Sequence, residues 1–293
     1  MSRLSLSSAR PQPSSGAQIR RLLPAGLAAA ALLVAPLAAG PASAETARLG
    51  GVYDISVAGF KIARGSQSLV VQANAYSAKV GMEPAGIGTL FSAGKGGAEA
   101  SGWVSGKKVV PSSYKMASRA ADRDFFVDLA QGSGKVRSMR VTPKFKPNPE
   151  RIEVTKKHTR NVVDPLSAIL MPVKAAKGQP DASVCERRIP VFDGWTRFDI
   201  QLGFKEIREV SGKGYDGKVV VCSARWIPVA GHRPSTKSVK YMAENRRMEA
   251  WLAPFGSGRV FVPYRIEMGT NSGTLVVEPR QLDFKSGQDQ AAR

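Results

Sequence analysis

His158 and His232 are the only imidazoles in the 293-residue chain, and Cys185 and Cys222 are its only thiols. A structural or catalytic metal needs several such ligands at short, regular spacing, and these four are scattered, so no metal is expected. A histidine base needs an acid to orient it and a nucleophile within reach. His158 lies between Lys157 and Thr159 in a basic run, neither histidine has a Ser, Cys or Asp signature beside it, and both read as surface or hydrogen-bonded side chains. Asp122 and Asp124, flanking Arg123, are a carboxylate pair suited in principle to acid–base work; on an exposed loop before a strand they are expected to pair with nearby arginines. The glycine-rich segment 86–97 (GIGTLFSAGKGG) is no phosphate loop, because five residues separate Gly88 from Gly94 and Lys95 is followed by Gly96 rather than Ser or Thr. No catalytic residue and no cofactor is expected. Trp103, Trp195, Trp226 and Trp251 would serve a ligand cavity, but core packing accounts for them with fewer assumptions.

The two cysteines lack the C-x-x-C spacing of a redox pair. In an exported chain such a pair forms a disulfide, whereas in the cytosol it stays as two thiols. The compartment is read from the other end of the chain. Arg20 and Arg21 precede an apolar run over 22–37, and Ala42-Ser43-Ala44 follows, which is the order of a secretory signal. Residues 1–44 are therefore expected to be a signal peptide cleaved after Ala44. Pro24, Pro36 and Pro41 and the high alanine content make the run a poor permanent transmembrane helix. The stretch ahead of Arg20 is longer than such signals need, which leaves open a later start or a weak twin-arginine signal. No Cys lies near the cleavage point, so no lipid anchor is expected there. Export makes a Cys185–Cys222 disulfide the expectation, and closing that loop would stabilise the fold by about 4 kcal/mol.

Residues 1–44 hold four arginines and no acid, so the remainder keeps 39 basic against 23 acidic side chains, or +16. The excess is densest where Lys135, Arg137, Arg140, Lys144, Lys146, Arg151, Lys156, Lys157 and Arg160 face only Glu150 and Glu153. A solvated face that keeps the protein soluble explains this as well as an anion-binding face does. The binding reading assigns Lys135, Arg137, Arg140, Lys144, Lys146, Lys156, Lys157 and Arg160 to anionic lipid, lipopolysaccharide or acidic wall polymer, and export argues against nucleic acid.

Period-two alternation is clearest in 196–204, where Phe198, Ile200, Leu202 and Phe204 share a face against Arg197, Asp199 and Gln201, and in 260–268, where Val260, Val262, Tyr264, Ile266 and Met268 alternate with Phe261, Arg265 and Glu267. Strands are also expected at 52–57, 60–71, 76–82, 99–104, 109–116, 125–129, 136–141, 189–192, 219–227, 248–253 and 274–282. Turn chemistry links neighbours at Gly132-Ser133-Gly134, Gly256-Ser257-Gly258 and Asn271-Ser272-Gly273, and Asp193-Gly194 suits a two-residue type I′ turn. Sequential hairpins of this number make an all-β antiparallel meander, and it must curl into an open or half barrel to protect its edges. One short helix is expected at 165–171, capped by Asp164 and plugging the barrel mouth, with a weaker second at 86–92. The organisation expected is one domain over 45–285, with 143–187 as an insertion or crossing segment and 286–293 as a disordered tail. Trp226 shares the parity of Cys222 and would shield the disulfide.

The opening Gly51-Val52-Tyr53-Asp54-Ile55-Ser56-Val57-Ala58-Gly59, Asp164-Pro165-Leu166-Ser167-Ala168, Val191-Phe192-Asp193-Gly194 and the 251–263 stretch resemble, in this order, the domain of unknown function 3108 family of bacterial envelope proteins. The resemblance implies a periplasmic, β-rich protein and carries no catalytic residue with it. The expected role is non-enzymatic binding of a lipid or other envelope component, or envelope maintenance. The alternatives are an envelope hydrolase or transferase using carboxylates such as Asp122 and Asp124, and a structural partner of another envelope protein.

Overall fold

Tight turns set the architecture. Ala58 and Gly59 take φ of 49° and 83°, and Ser133 and Gly134 take 51° and 69°, the left-handed backbone a type I′ turn requires. They join β1 (Thr46–Val57) to β2 (Phe60–Gln72) and β6 (Arg123–Gly132) to β7 (Lys135–Thr142). The computed structural model describes residues 46–90, 94–120, 123–174 and 180–285; the expected signal peptide, the tail and Asp122 lie outside them. Between these hairpins run β3 (Ala75–Pro84), β4 (Lys95–Ser105) and β5 (Lys108–Ala120). After a long crossing come β8 (Met171–Pro172), β9 (Arg188–Phe192), β10 (Arg197–Val210), β11 (Gly217–Ala230), α1 (Lys237–Glu244), β12 (Met248–Phe255), β13 (Val260–Thr270) and β14 (Gly273–Lys285).

All pairs along the sheet are antiparallel, in the order β7-β6-β5-β4-β3-β2-β1-β14-β13-β12-β11-β10-β9, with β8 added to β13 off the path. The two halves of the chain thus meet where its first strand pairs with its last. The ladder does not close, but the chain between the two edge strands bridges them. Arg160 pairs with Lys135 of β7 and Val163 with Val191 of β9. The Asn161 N–H donates to the Gly134 carbonyl (2.6 Å), and the Val163 N–H donates to that of Pro190 (2.9 Å). The segment expected as a crossing thus covers one end of each edge strand, at Gly134 and Lys135 of the β6–β7 hairpin and at Pro190 to Phe192 of β9.

The inner face carries the larger core, with Leu49, Leu69, Tyr76, Leu129, Phe192 and Val262 among its buried members. A second cluster covers the other face of β10 to β13 with Leu202, Val220, Cys222, Leu252 and Phe261, and the segment carrying Met171, Val173, Val184 and Cys185 closes over it. Sheet covered on both sides departs from the simple alternation expected at 260–268: Val260, Phe261 and Val262 are all buried. Asp199, expected on the outward face, is only 4 % exposed because Arg188 and Arg197 each reach it at 2.5 Å.

Three local expectations need correction. The helix at 165–171 is a single 3₁₀ turn, Ser167–Ile169, and the one at 86–92 is Gly86–Leu90, also 3₁₀. The α-helix, α1, was not expected: it is only eight residues long, and its apolar stripe of Val239, Met242 and Ala243 is no more than half-buried. The Asp193-Gly194 connection holds four residues rather than two, because Phe192 pairs with Arg197. There the Asp193 carboxylate accepts the N–H groups of Trp195 and Thr196 (2.8 and 2.6 Å) and so builds the loop itself.

Candidate functional site

Cys185 and Cys222 are bonded, with Cα atoms 5.4 Å apart and both side chains fully buried. The bond ties a 3₁₀ turn, Ala182–Cys185, to β11. Val184, Leu202, Leu252 and Phe261 cover it, while Trp226 packs instead on Phe198 and His232, which corrects the shielding role expected for it. The His232 Nδ1–H donates to the Ala230 carbonyl at 3.2 Å. Burial, aided by the nearby Arg151 charge, holds its imidazole below the usual value. His158 accepts the Thr155 N–H at Nδ1 and caps its own turn. Asp124 has a side chain 74 % exposed and ion-paired with Arg119 at 3.6 Å, the arginine pairing expected for it.

The eight basic residues nominated for anion binding are all exposed, but they do not form one compact cluster of free charges. Lys135, Arg137 and Arg140 lie on edge strand β7, Lys144 and Lys146 in the segment after it, Lys156 and Lys157 on a 3₁₀ turn, and Arg160 opposite Lys135. Arg140 is engaged by Asp128 at 2.6 Å, and Arg137 donates to the Ser133 hydroxyl.

What the structure does assemble lies inside the barrel, around the Asp164-Pro165-Leu166-Ser167-Ala168 segment. Asp164 is fully buried. Its Oδ1 accepts the N–H groups of Leu166 (3.1 Å) and Ser167 (2.8 Å), and its Oδ2 accepts the Ser167 hydroxyl (2.6 Å) and the Gln131 amide (3.1 Å). With its proton given to Asp164, the Ser167 oxygen accepts the Tyr76 phenol at 2.6 Å. The turn is thereby fixed to β3 on one side and β6 on the other, and Leu166 and Leu170 sink into the main core. Burial raises the Asp164 carboxyl above the ordinary carboxylate value, while hydrogen bonds from Ser167 and Gln131 draw it back. Burial likewise raises the phenols of Tyr53, Tyr76 and Tyr114, which therefore stay protonated donors.

The turn contributes walls to two cavities. Ile169 borders the first, about 430 Å³, whose other sides are Tyr53, Ile55, Val80, Ala98, Met116 and Val277. Its floor is bare because Gly65, Gly81, Gly96 and Gly97 meet there from β2, β3 and β4. At Gly96 a Cβ would come within 2.5 Å of the Ser118 Cβ, whereas at Gly65 it would meet nothing nearer than 3.7 Å. Ser167, Ala168 and Leu170 border the second cavity, about 720 Å³, between the tips of the β4–β5 and β6–β7 hairpins. Apolar residues Val109, Pro111, Leu170 and Ile189 line it together with Lys107, Lys108, Lys135, Arg187 and Arg188. A third hollow, also about 720 Å³, is bordered by the charged residues Arg64, Glu83, Lys95, Arg119 and Asp124. None of the four tryptophans lines any of the three. The buried turn, which the sequence suggests as a helix, and the glycines, which it places inside strands or in a rejected phosphate loop, are what shape the interior.

Among the described residues no helix is long and apolar enough to cross a membrane, and no three of His, Cys, Asp and Glu gather as metal ligands would. Fold and site together define an open, β-barrel-like antiparallel sheet, plugged by a hydrogen-bonded turn that leaves hollows on either side. The chain belongs to the family described as protein of unknown function (DUF3108), which it matches over residues 52–278. Among solved structures it is similar to the beta-barrel-like protein of domain of unknown function DUF1849 from Brucella abortus, at 9 % identity over 83 % of this chain and 98 % of that one, with a TM-score of 0.46. No curated protein matches it.

Proposed function

We propose that the protein is exported to the periplasm and there acts as a non-enzymatic binding protein of the cell envelope, holding the hydrocarbon part of an amphiphile in its concave cavity. Its basic surface attracts the anionic partner: lipid headgroups, lipopolysaccharide phosphates or acidic wall polymer. The observation that carries this reading is the cavity of about 430 Å³ beside Ile169, within the roughly 300–1,000 Å³ of small-molecule sites and, like them, largely apolar. It holds one polar group in need of a partner, since Gln67 lines it and its buried Nε2 has none among the described residues. A buried donor left unpaired costs about 1–3 kcal/mol, which a ligand carbonyl or hydroxyl would offset. The order of features in residues 1–44 and the buried disulfide support an oxidising compartment.

The reading is tested on protein isolated gently from the periplasm of a bacterium that makes it. Native mass spectrometry is expected to find a bound lipid, and Gly65→Leu, which fills the cavity without a backbone clash, is expected to lose it while keeping the circular dichroism of a β protein. A protein that is consistently empty and ignores anionic vesicles would overturn the binding role. A native N-terminus at or before Arg20 would overturn export.

A further inference from the structure

The second cavity has a chemistry of its own. Its walls bring together cations from three separate parts of the chain: Lys107 and Lys108 at the β4–β5 hairpin, Lys135 at the start of β7, and Arg187 and Arg188 beside β9. One acid, Glu186, shares the lining. Arg188 is already committed to Asp199 at 2.5 Å. The other four have no carboxylate within ion-pair distance among the described residues. Arg187 is the most telling of them. Its Nη2 donates to the Pro172 carbonyl at 3.0 Å, while its buried Nε has no acceptor among the described residues. Burial weakens the guanidinium's hold on its proton and the more distant Asp181 charge offsets this only in part; a cation drawn from water with so little counter-charge is costly. An anion between Arg187 and the hairpin lysines would relieve both.

We propose that this cavity is a phosphate site, in which Arg187, Lys107, Lys108 and Lys135 hold a phosphate monoester or diester while Val109, Pro111, Leu170 and Ile189 receive the adjoining hydrocarbon. A guanidinium fork with several lysine point charges matches an oxyanion with three or more accepting oxygens better than it matches a lone carboxylate. The proposal rests on the preceding reading only in taking the ligand to be an amphiphile. Of the eight basic residues that the sequence nominates, Lys135 alone lines the site; the cations that complete it come from the β4–β5 hairpin and from the residue before β9.

Isothermal titration of the full chain with dihexanoyl phosphatidic acid, dihexanoylglycerol and inorganic phosphate tests it. Phosphatidic acid is expected to bind, and Arg187→Gln is expected to weaken it by about tenfold or more, as loss of a charge-assisted hydrogen bond does. Lys107→Gln/Lys108→Gln, on an exposed hairpin tip, is expected to act in the same direction and cannot be mistaken for misfolding. Neither variant is expected to change binding of dihexanoylglycerol. Inorganic phosphate binding as tightly as phosphatidic acid would keep the anion site and overturn its assignment to a lipid headgroup. Variants that bind phosphatidic acid like the parent chain would overturn the phosphate site while leaving the amphiphile role standing; a parent chain that ignores dihexanoylglycerol would count against that role instead.

Discussion

Asp164 is where a sequence signal and its structural meaning differ most instructively. Asp before Pro reads as a helix cap, and its Oδ1 does take the N–H groups of Leu166 and Ser167 as a cap would. The other oxygen, however, faces Gln131, thirty-three residues away in the chain, a pairing no local pattern encodes. Because burial raises the folded-state value, the unfolded chain gives up this proton first as the pH climbs past about 4, and the folded protein then binds the extra proton. Stability contributed by the protonated form is therefore lost as pH rises through the raised folded value. Urea melts of the parent and Asp164→Asn across that range are expected to show the parent losing ground with rising pH. A pH-independent gap between the two would mean that the carboxyl is not titrating anomalously. Asp164→Ala, which strands two backbone N–H groups, the Ser167 hydroxyl and the Gln131 amide, is expected to cost about 1–3 kcal/mol for each group left unpaired, with the larger total at low pH.

At the scale of elements, the described residues between β8 and β9 pair in no strand of the sheet. They are fastened mainly by the Cys185–Cys222 bond and by Val173 and Val184 packed on the outer cluster. Cross-linking residues 37 apart restricts the unfolded chain enough to stabilise by about 4 kcal/mol in the chain-entropy model. The double change Cys185→Ser/Cys222→Ser is expected to lower the denaturation midpoint by an amount equivalent to about 2–4 kcal/mol, with early proteolysis between Met171 and Arg188. Equal midpoints for parent and variant would show the bond to be energetically idle. The strands themselves were legible because period-two alternation survives wherever one face meets the core. It failed where a second layer covers the sheet, as at Phe261, and where a charge is buried with its partners, as at Asp199. α1 was not read because its apolar face, Val239, Met242 and Ala243, is short and only half-buried.

For the whole molecule, a net charge of +16 outside residues 1–44 acts at a distance. Opposed charges attract over about 10 Å at 0.1 M salt and much less at higher ionic strength. Co-sedimentation with vesicles containing phosphatidylglycerol is accordingly expected to fall steeply as salt is raised. Lys144→Glu/Lys146→Glu, both exposed at the start of the crossing segment just after β7, is expected to weaken it further at low salt. Retention that does not respond to salt would mean that the surface charge is merely solvated.

Alternation, turn residues and the count of strands were enough to specify an antiparallel meander that must curl, since those properties are local or depend only on how many edges need covering. The family resemblance and the pairing of the two cysteines were legible for the same reason, each resting on residues taken in chain order. Which side chains converge was decided only by the tertiary structure. The hollow floored by Gly65 and Gly96, the ring of Lys107, Lys108, Lys135 and Arg187, and the Gln131–Asp164–Ser167–Tyr76 chain each join residues from distant strands. Their proximity follows from register and curvature, which arise from the packing of the whole sheet and are written in no single stretch of it.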